Sequence, residues 1–342
     1  MPDDLKIVFL GAGVIGGSVG SWIAPFHDET YFLDVGPVVD RLKAEGITTY
    51  PGDAPDEKEQ VAVHVIDDLA DVPDVDVVVI GVKNYSLDTV ARLVKQKLGD
   101  RPVIVGMQNG IANQRILPTY FSKVIYCVVS YNAWMDEPGV IGYQKKGPLH
   151  LGALEEGMAG ELDRISAVFN LGVETEVTDR IQDAIHSKIV LNLTNSLTTL
   201  LGLGAKEIPN RALFQRLLSN LLWEGVSVVK AAGFSESKLG GMPSWFLLRL
   251  GASLPLLLTR GLFEKNARKM VISSMAQDVI GRGSRDTELD SINGYVLELA
   301  DRFDVKVPYN RAIYELSQTE FARDDFRPIE AEAVWEAVRA KL

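Results

Sequence analysis

The stretch "KIVFLGAGVIGG", residues Lys6–Gly17, decides the fold of the first half of the chain. A short apolar run ends at Leu10, and Gly11, Gly13 and Gly16 follow in GxGxxG spacing before the helical pattern "VIGGSVGSWIA". Alone, three glycines mark no more than a tight strand-to-helix turn. Between a strand and a helix they describe a dinucleotide-binding loop, formed by Gly11, Ala12, Gly13, Val14, Ile15 and Gly16. Gly11 permits the turn, Gly13 lets backbone approach a pyrophosphate, and Gly16 allows close packing, with the helix N-terminus facing the phosphates.

Outward from this loop, the second strand "TYFLD" ends at Asp34, 23 residues after Gly11. A carboxylate there accepts hydrogen bonds from both adenosine ribose hydroxyls and repels a 2′-phosphate, which favours NAD(H) with NADP(H) as the alternative. An Asp ahead of Gly36 is also an ordinary turn former. Arg41, the nearest base able to accommodate a phosphate, lies a helical turn or two too far along. Further apolar runs, "VAVHVI", "DVVVIGV", "PVIVGM" and "KVIYCVV", alternate with helical patterns, as in a mostly parallel, doubly wound sheet. "GVIGYQ" and "GPLHLGA" read as a hairpin closing this domain.

After Asp179 the character changes, and helical periodicity dominates over Asp183–Leu201, Ala212–Ala232, Asn266–Val279 and Glu288–Phe303. The expectation is an α/β Rossmann-type domain over residues 1–179 and an all-α domain over residues 180–342. "FLLRLGASLPLLLTRGLF", Phe246–Phe263, is apolar, but Arg249, Pro255 and Arg260 interrupt it well short of a membrane span. It reads as two buried helices or a partner-facing surface, so a homodimer is open.

Composition narrows the partners. The 342 residues are 46% hydrophobic and 24% charged, enough for two cores, and the net charge of −11 opposes nucleic acid and anionic membrane. A small-molecule partner fits. The single Cys127, inside "KVIYCVVS", reads as a buried strand thiol that cannot form an internal disulfide. His27, His64, His150 and His186 show no close pairing suggestive of a metal site. An acidic start running directly into a strand is the wrong order for a signal peptide, so the expected compartment is the cytoplasm.

"HSKIVLNLTNSL", His186–Leu197, is the second informative stretch. At 100° per residue Lys188, Asn192 and Asn195 fall within roughly 60° of one another, on a helix otherwise suited to a protein interior. Burying an amine and two amides without partners costs several kcal/mol. The stripe is therefore either a wet seam or the wall of a polar crevice between the domains, satisfied by cofactor, substrate and water.

Taken with "VKNY", "QNGI", "SSMAQDVIGRGSRDTELDSINGYVLELA" and "VKVPYN", the two stretches resemble the ketopantoate reductase family over nearly the whole length. The resemblance implies an NAD(P)H-dependent reductase in which Lys188 is the proton donor and Asn192 a substrate ligand. By the same resemblance Asn109 contacts nicotinamide and substrate, and Lys83 lies at the cofactor cleft. Ser274 corresponds to the serine that binds substrate carboxylate, and Glu288 to the acidic residue of the late motif. From the residues alone, "TELD" is a capping box and Ser274 a packed helix residue.

The chain departs from the family pattern in three places. Asn195 follows Lys188 by seven residues rather than the family's eight. About two extra residues separate Ser274 from Glu288, and Asp34 stands where relatives using NADPH commonly carry arginine. The expected reaction is reduction of a 2-oxo acid, with 2-dehydropantoate the default substrate. A dehydrogenase of another hydroxy or oxo acid and a non-catalytic dinucleotide-binding sensor are the alternatives.

Overall fold

All four side chains of β1 (Ile7–Leu10) are buried, as a strand covered on both faces requires. The computed structural model describes residues 4–239, 243–268 and 270–342. It divides into two compact units, one ending at Ile181 and one spanning Gln182–Leu342. Positions 1–3 of the expected N-terminal strand approach, 240–242 ahead of the apolar segment, and 269 within the expected helix Asn266–Val279 lie outside the described residues.

In the N-terminal unit α1 (Val14–Ile23) leads to β2 (Thr30–Leu33) and α2 (Pro37–Glu45), followed by β3 (Ile47–Pro51), β4 (Glu59–Val61) and β5 (His64–Val65). Then come β6 (Val77–Ile80), α3 (Asn84–Leu98), β7 (Val103–Gly106), α4 (Ala112–Ile116) and β8 (Val124–Val129). β9 (Ala133–Glu137), β10 (Val140–Tyr143), β11 (Leu149–Ala153), α5 (Ala159–Gly172) and β12 (Thr175–Val177) complete it. The main sheet has eight strands in the order β12-β11-β8-β7-β6-β1-β2-β5. From β5 to β8 all neighbours are parallel, and β11 joins β8 antiparallel. The chain winds outward from β1 to β2 and β5, then returns to β6 on the other side, so the direction reverses between β1 and β6. This Rossmann-type sheet is the expected one.

Alternate residues of each strand serve opposite faces. Ile7, Phe9, Val77, Val79, Val105 and Ile125 join Val19, Trp22 and Ile23 of α1 and Val168 and Phe169 of α5 in one core. Phe9 stacks between Phe32 and Phe169, with ring centroids 5.5 and 6.3 Å away. Each such fully buried side chain contributes about 2 kcal/mol of transfer free energy. Cys127 is buried, and burial pushes its thiol well above the usual range, as befits a packing residue.

A second sheet, β4-β3-β10-β9, was not foreseen, and it corrects two readings. "VAVHVI" is not one strand: β4 ends at Val61 and pairs with β3, whereas β5 pairs with β2 in the main sheet. "GVIGYQ" and "GPLHLGA" do not form a hairpin, because β10 pairs with β3 and β9 while β11 pairs with β8. Trp134 explains part of the arrangement: it packs against Gly142 and Gly52, where an added Cβ would lie 2.4 and 2.5 Å from the indole. Its indole N–H donates to Tyr50, whose hydroxyl donates to Asp136.

The C-terminal unit is helical: α6 (Ile181–Asn192, beginning at the boundary), α7 (Thr194–Leu201), α8 (Arg211–Ala231), α9 (Trp245–Ser253) and α10 (Leu256–Ala267). The single turn α11 (Ser274–Ala276) is followed by α12 (Tyr295–Arg302), α13 (Pro308–Phe321) and α14 (Ala331–Arg339). π-turns at Gln277–Gly281 and Asp290–Gly294 precede α12. The expected helix Asn266–Val279 is therefore not continuous: α10 stops at Ala267, and a new turn starts where the Ser273 hydroxyl accepts the Ala276 N–H. "VKVPYN" places Pro308 in the first turn of α13, where no N–H is missed, and the Glu224 carboxylate accepts the N–H groups of Tyr309 and Asn310.

Leu193 breaks the helix expected over Asp183–Leu201. Its N–H is shared between the carbonyls of Ile189 and Val190, at 3.1 and 3.3 Å. Thr194, Ser196 and Thr198 each donate a hydroxyl back to a carbonyl three or four residues earlier, a habit that bends helices. The apolar segment forms α9 and α10, separated at Pro255, and only part of it is buried. Phe246 (65% exposed), Leu257 (81%) and Leu258 (72%) face outward, so of the two earlier readings the uncovered surface describes it better. No helix among the described residues is long and apolar enough to cross a membrane.

Candidate active site

Loops at the carboxyl ends of parallel strands, beside the point where winding reverses, are where α/β sheets receive ligands. Gly11 leaves β1 at φ +95°, a conformation few other residues adopt. A Cβ on Gly16 would lie 2.1 Å from the Gly11 carbonyl oxygen, whereas one on Gly13 would meet nothing within 4 Å. Gly13 opens α1 without a side-chain cap. The backbone N–H groups of Ala12, Val14 and Ile15 belong to this turn, which has open space above it and the positive end of a helix behind it. Both features fit a dinucleotide pyrophosphate.

Asp34, immediately after β2, is held from both sides. One oxygen accepts the Ala12 N–H at 2.6 Å and the other the Val35 N–H at 2.7 Å. These bonds tie the carboxylate to the glycine loop, and a ribose carried there would meet its remaining lone pairs. Arg41 lies in α2 and pairs with Glu45 at 2.8 Å and Glu137 at 3.6 Å, so its charge is already engaged.

Lys83, half-buried after β6, occupies the extended residue that opens α3. Asn109 is half-buried after β7, and its backbone carbonyl accepts the Asn84 amide at 2.8 Å. The QNG turn owes its placement to a neighbour that sequence reasoning passed over. Gln108 donates to the carbonyls of Ile80 (2.7 Å) and Val82 (3.0 Å), stitching the end of β7 to that of β6, and Gly110 then turns at φ +78°. Tyr131, following β8, was likewise missed; it is buried and shares a 2.8 Å hydrogen bond with Ser18 of α1. A polar residue in a glycine-rich helix facing a tyrosine at a strand end was its only signal.

In the C-terminal unit Lys188 stands on α6. Although the residue as a whole is half-buried, desolvation of its amine lowers the pKa from 10.5 to about 8. Asn192, one turn on, is 7% exposed, and Asn195, in α7 past the break at Leu193, is half-buried. Glu288 is 7% exposed just before the Asp290–Gly294 turn, an unusual burial for a first-turn acid. The expected capping box takes another form: the Thr287 hydroxyl accepts the Leu289 N–H at 3.3 Å. Ser274 is half-buried in α11, and the capping hydroxyl beside it belongs to Ser273.

Two family models match the chain: "Ketopantoate reductase PanE/ApbA" over residues 7–156 and its C-terminal counterpart over residues 180–320. The 2-dehydropantoate 2-reductase of Halobacterium salinarum is 26% identical over 327 residues, covering 91% of this chain and 97% of the relative. That of Archaeoglobus fulgidus is 24% identical over 313 residues, covering 91% and 96%. Among solved structures, a PanE/ApbA family ketopantoate reductase from Ralstonia eutropha JMP134 superposes with a TM-score of 0.73 at 23% identity, covering 94% and 99%. D-mandelate dehydrogenase in ternary complex with NADH and anilino(oxo)acetate gives 0.74 at 19% identity, covering 93% and 98%. With both halves matched in order and across most of its length, the chain belongs to the ketopantoate reductase family of NAD(P)-dependent oxidoreductases.

Proposed function

We propose that this chain reduces a 2-oxo acid with NADH, that 2-dehydropantoate is its substrate, and that Lys188 is the proton donor. Lys188 carries the reading: a desolvated amine with a pKa of about 8 is protonated at neutral pH yet gives up its proton more readily than an exposed lysine. When bound, the nicotinamide supplies the hydride. The chain's own residues hold and polarise the acid. The Lys188 ammonium orients the carbonyl oxygen and protonates it as negative charge develops, Asn192 and Asn195 donate amide hydrogens to substrate oxygens, and Ser274 receives the carboxylate. Glu288 accepts a substrate hydroxyl, and Asn109 serves both cofactor and substrate.

The glycine loop and Asp34 support NADH over NADPH, because a carboxylate held against the loop would repel a 2′-phosphate and Arg41 is occupied by two acids. A single buried thiol and no disulfide agree with work in the cytoplasm. Steady-state oxidation of NADH and NADPH with 2-dehydropantoate tests the reading, and a panel of other 2-oxo acids tests the second one, a different acid. The two extra residues before Glu288 favour that second reading. Turnover of another acid in preference to 2-dehydropantoate would establish it.

The chain works as a homodimer through the outer faces of α9 and α10. Phe246, Leu247, Leu254, Leu257, Leu258 and Leu262 are 39–81% exposed. Together they leave on the order of 600 Å² of apolar surface uncovered, near the largest patch of a typical monomer and not far below the ~800 Å² per partner of a standard interface. Light scattering on a sizing column should give twice the chain mass, and Leu257→Glu with Leu258→Glu should halve it; a wild-type monomer at micromolar concentration refutes the assembly.

A further inference from the structure

Two buried hydrogen bonds in the C-terminal unit use none of the groups assigned to the reaction. His186, two residues before Lys188 and 1% exposed, bonds through Nδ1 to the Gln182 carbonyl at 2.7 Å and through Nε2 to the Tyr295 hydroxyl at 2.8 Å. A carbonyl only accepts, so Nδ1 carries the proton. The ring is neutral because burial lowers its pKa to about 4, so Nε2 is an acceptor and Tyr295 donates to it. The imidazole lies flat on Phe234, centroids 3.5 Å apart and planes 16° apart, which leaves it no freedom to turn. The second bond runs from the Asn293 amide to the Ser196 hydroxyl at 3.0 Å, and both residues are fully buried.

His186 and Ser196 flank Lys188, Asn192 and Asn195 on the α6–α7 rod. Asn293 and Tyr295 sit at the end of the π-turn and the start of α12, five and seven residues after Glu288. The two bonds thus fasten the segment carrying Glu288 to the rod carrying Lys188 at one point on either side of the break at Leu193. Buried polar bonds of this kind contribute little net stability, but they fix register where apolar packing alone would allow sliding. On the helical wheel His186 lies about 160° and Ser196 about 80° from Lys188, so neither anchor occupies the direction of the amine itself.

From this arrangement we infer that His186, Tyr295, Ser196 and Asn293 are positioning residues, a two-point clamp that sets Lys188 and Asn192 against Glu288. The inference rests on the proposed role of Lys188. It also assigns a use to the π-turn, which shifts the phase of the chain so that Asn293 and Tyr295 both reach the rod.

The test measures kcat and KM for NADH and 2-dehydropantoate in four variants, with thermal unfolding as the check on folding. Tyr295→Phe and Ser196→Ala should each lower kcat about tenfold, as small misplacements of reacting groups do, with KM for NADH changed less than about twofold. His186→Phe should lose as much. His186→Gln, which can donate to Gln182 and accept from Tyr295, should recover to within about threefold of wild type. Unchanged kcat in folded Tyr295→Phe and Ser196→Ala overturns the clamp; should Tyr295→Phe not fold, Ser196→Ala decides alone. Wild-type turnover in Lys188→Ala, by contrast, removes the underlying role of the lysine and is read separately.

Discussion

Lys188 is where a single pKa becomes an activity profile. With Lys188 as the proposed proton donor the reductive direction needs the ammonium, so kcat should be flat at neutral pH and fall tenfold per unit above about pH 8, two units or more below where an exposed lysine would titrate. Lys188→Ala should lose 10²–10⁴-fold in kcat, the usual worth of a positioned proton donor; a profile flat to pH 10 speaks against the assignment. Asp34 makes a comparable forecast for the cofactor. On the proposed ribose contact, Asp34→Arg should raise KM for NADH about tenfold or more and improve NADPH, because the carboxylate acceptor is lost and a phosphate partner gained. The substitution also gives up the 2.6 Å bond to Ala12, so a slightly lower melting temperature is part of the expectation. Asp34 and Lys188 stood out in the sequence because strand end and helical stripe gave their positions. Gln108 and Tyr131 did not, since their partners, the carbonyls of Ile80 and Val82 and the hydroxyl of Ser18, lie far away in sequence.

At the scale of elements, the glycine loop separates structural need from ligand need. Gly16→Ala places a Cβ 2.1 Å from a backbone oxygen, which cannot yield like a flexible side chain, so a loss of about 2 kcal/mol or more and no NADH binding are expected. Gly13→Ala meets no protein atom within 4 Å, so it should fold with nearly wild-type stability and yet bind NADH weakly. Equal stability losses in the two variants would show that the space over Gly13 is not kept for a ligand; denaturant titration with NADH fluorescence reads both. The strand–loop–helix unit was legible because its glycines, apolar run and helical periodicity agree. The α6–α7 break was not. Leu193 is an ordinary helix former, and only the hydroxyls of Thr194, Ser196 and Thr198, competing for carbonyls, carry the bend.

At the scale of the whole molecule, the order of a parallel sheet followed by helices could be read from alternation giving way to helical periodicity. The second sheet could not, because β3 pairs with β10 across some 90 residues of chain. Nothing local encodes that pairing beyond β-branched residues such as Ile47 and Thr48. Global stability carries its own pH signature through His186. Its folded pKa of about 4 lies below the unfolded value of 6.5, so the unfolded chain takes up the proton first. Stability is then complete above pH 6.5 and declines by about 3 kcal/mol in all as pH falls toward 4. Urea titrations at pH 7 and 4.5 should show this loss in wild type and a smaller one in His186→Gln. The central claim, that this family member uses NADH and Lys188 to reduce a 2-oxo acid, is tested most directly by the oxidation of NADH and NADPH with 2-dehydropantoate, in wild type and Lys188→Ala side by side. The account predicts steady consumption of NADH, slower consumption of NADPH and near silence in the variant. Equal rates in the two proteins, or no consumption of either coenzyme with any 2-oxo acid, would contradict it.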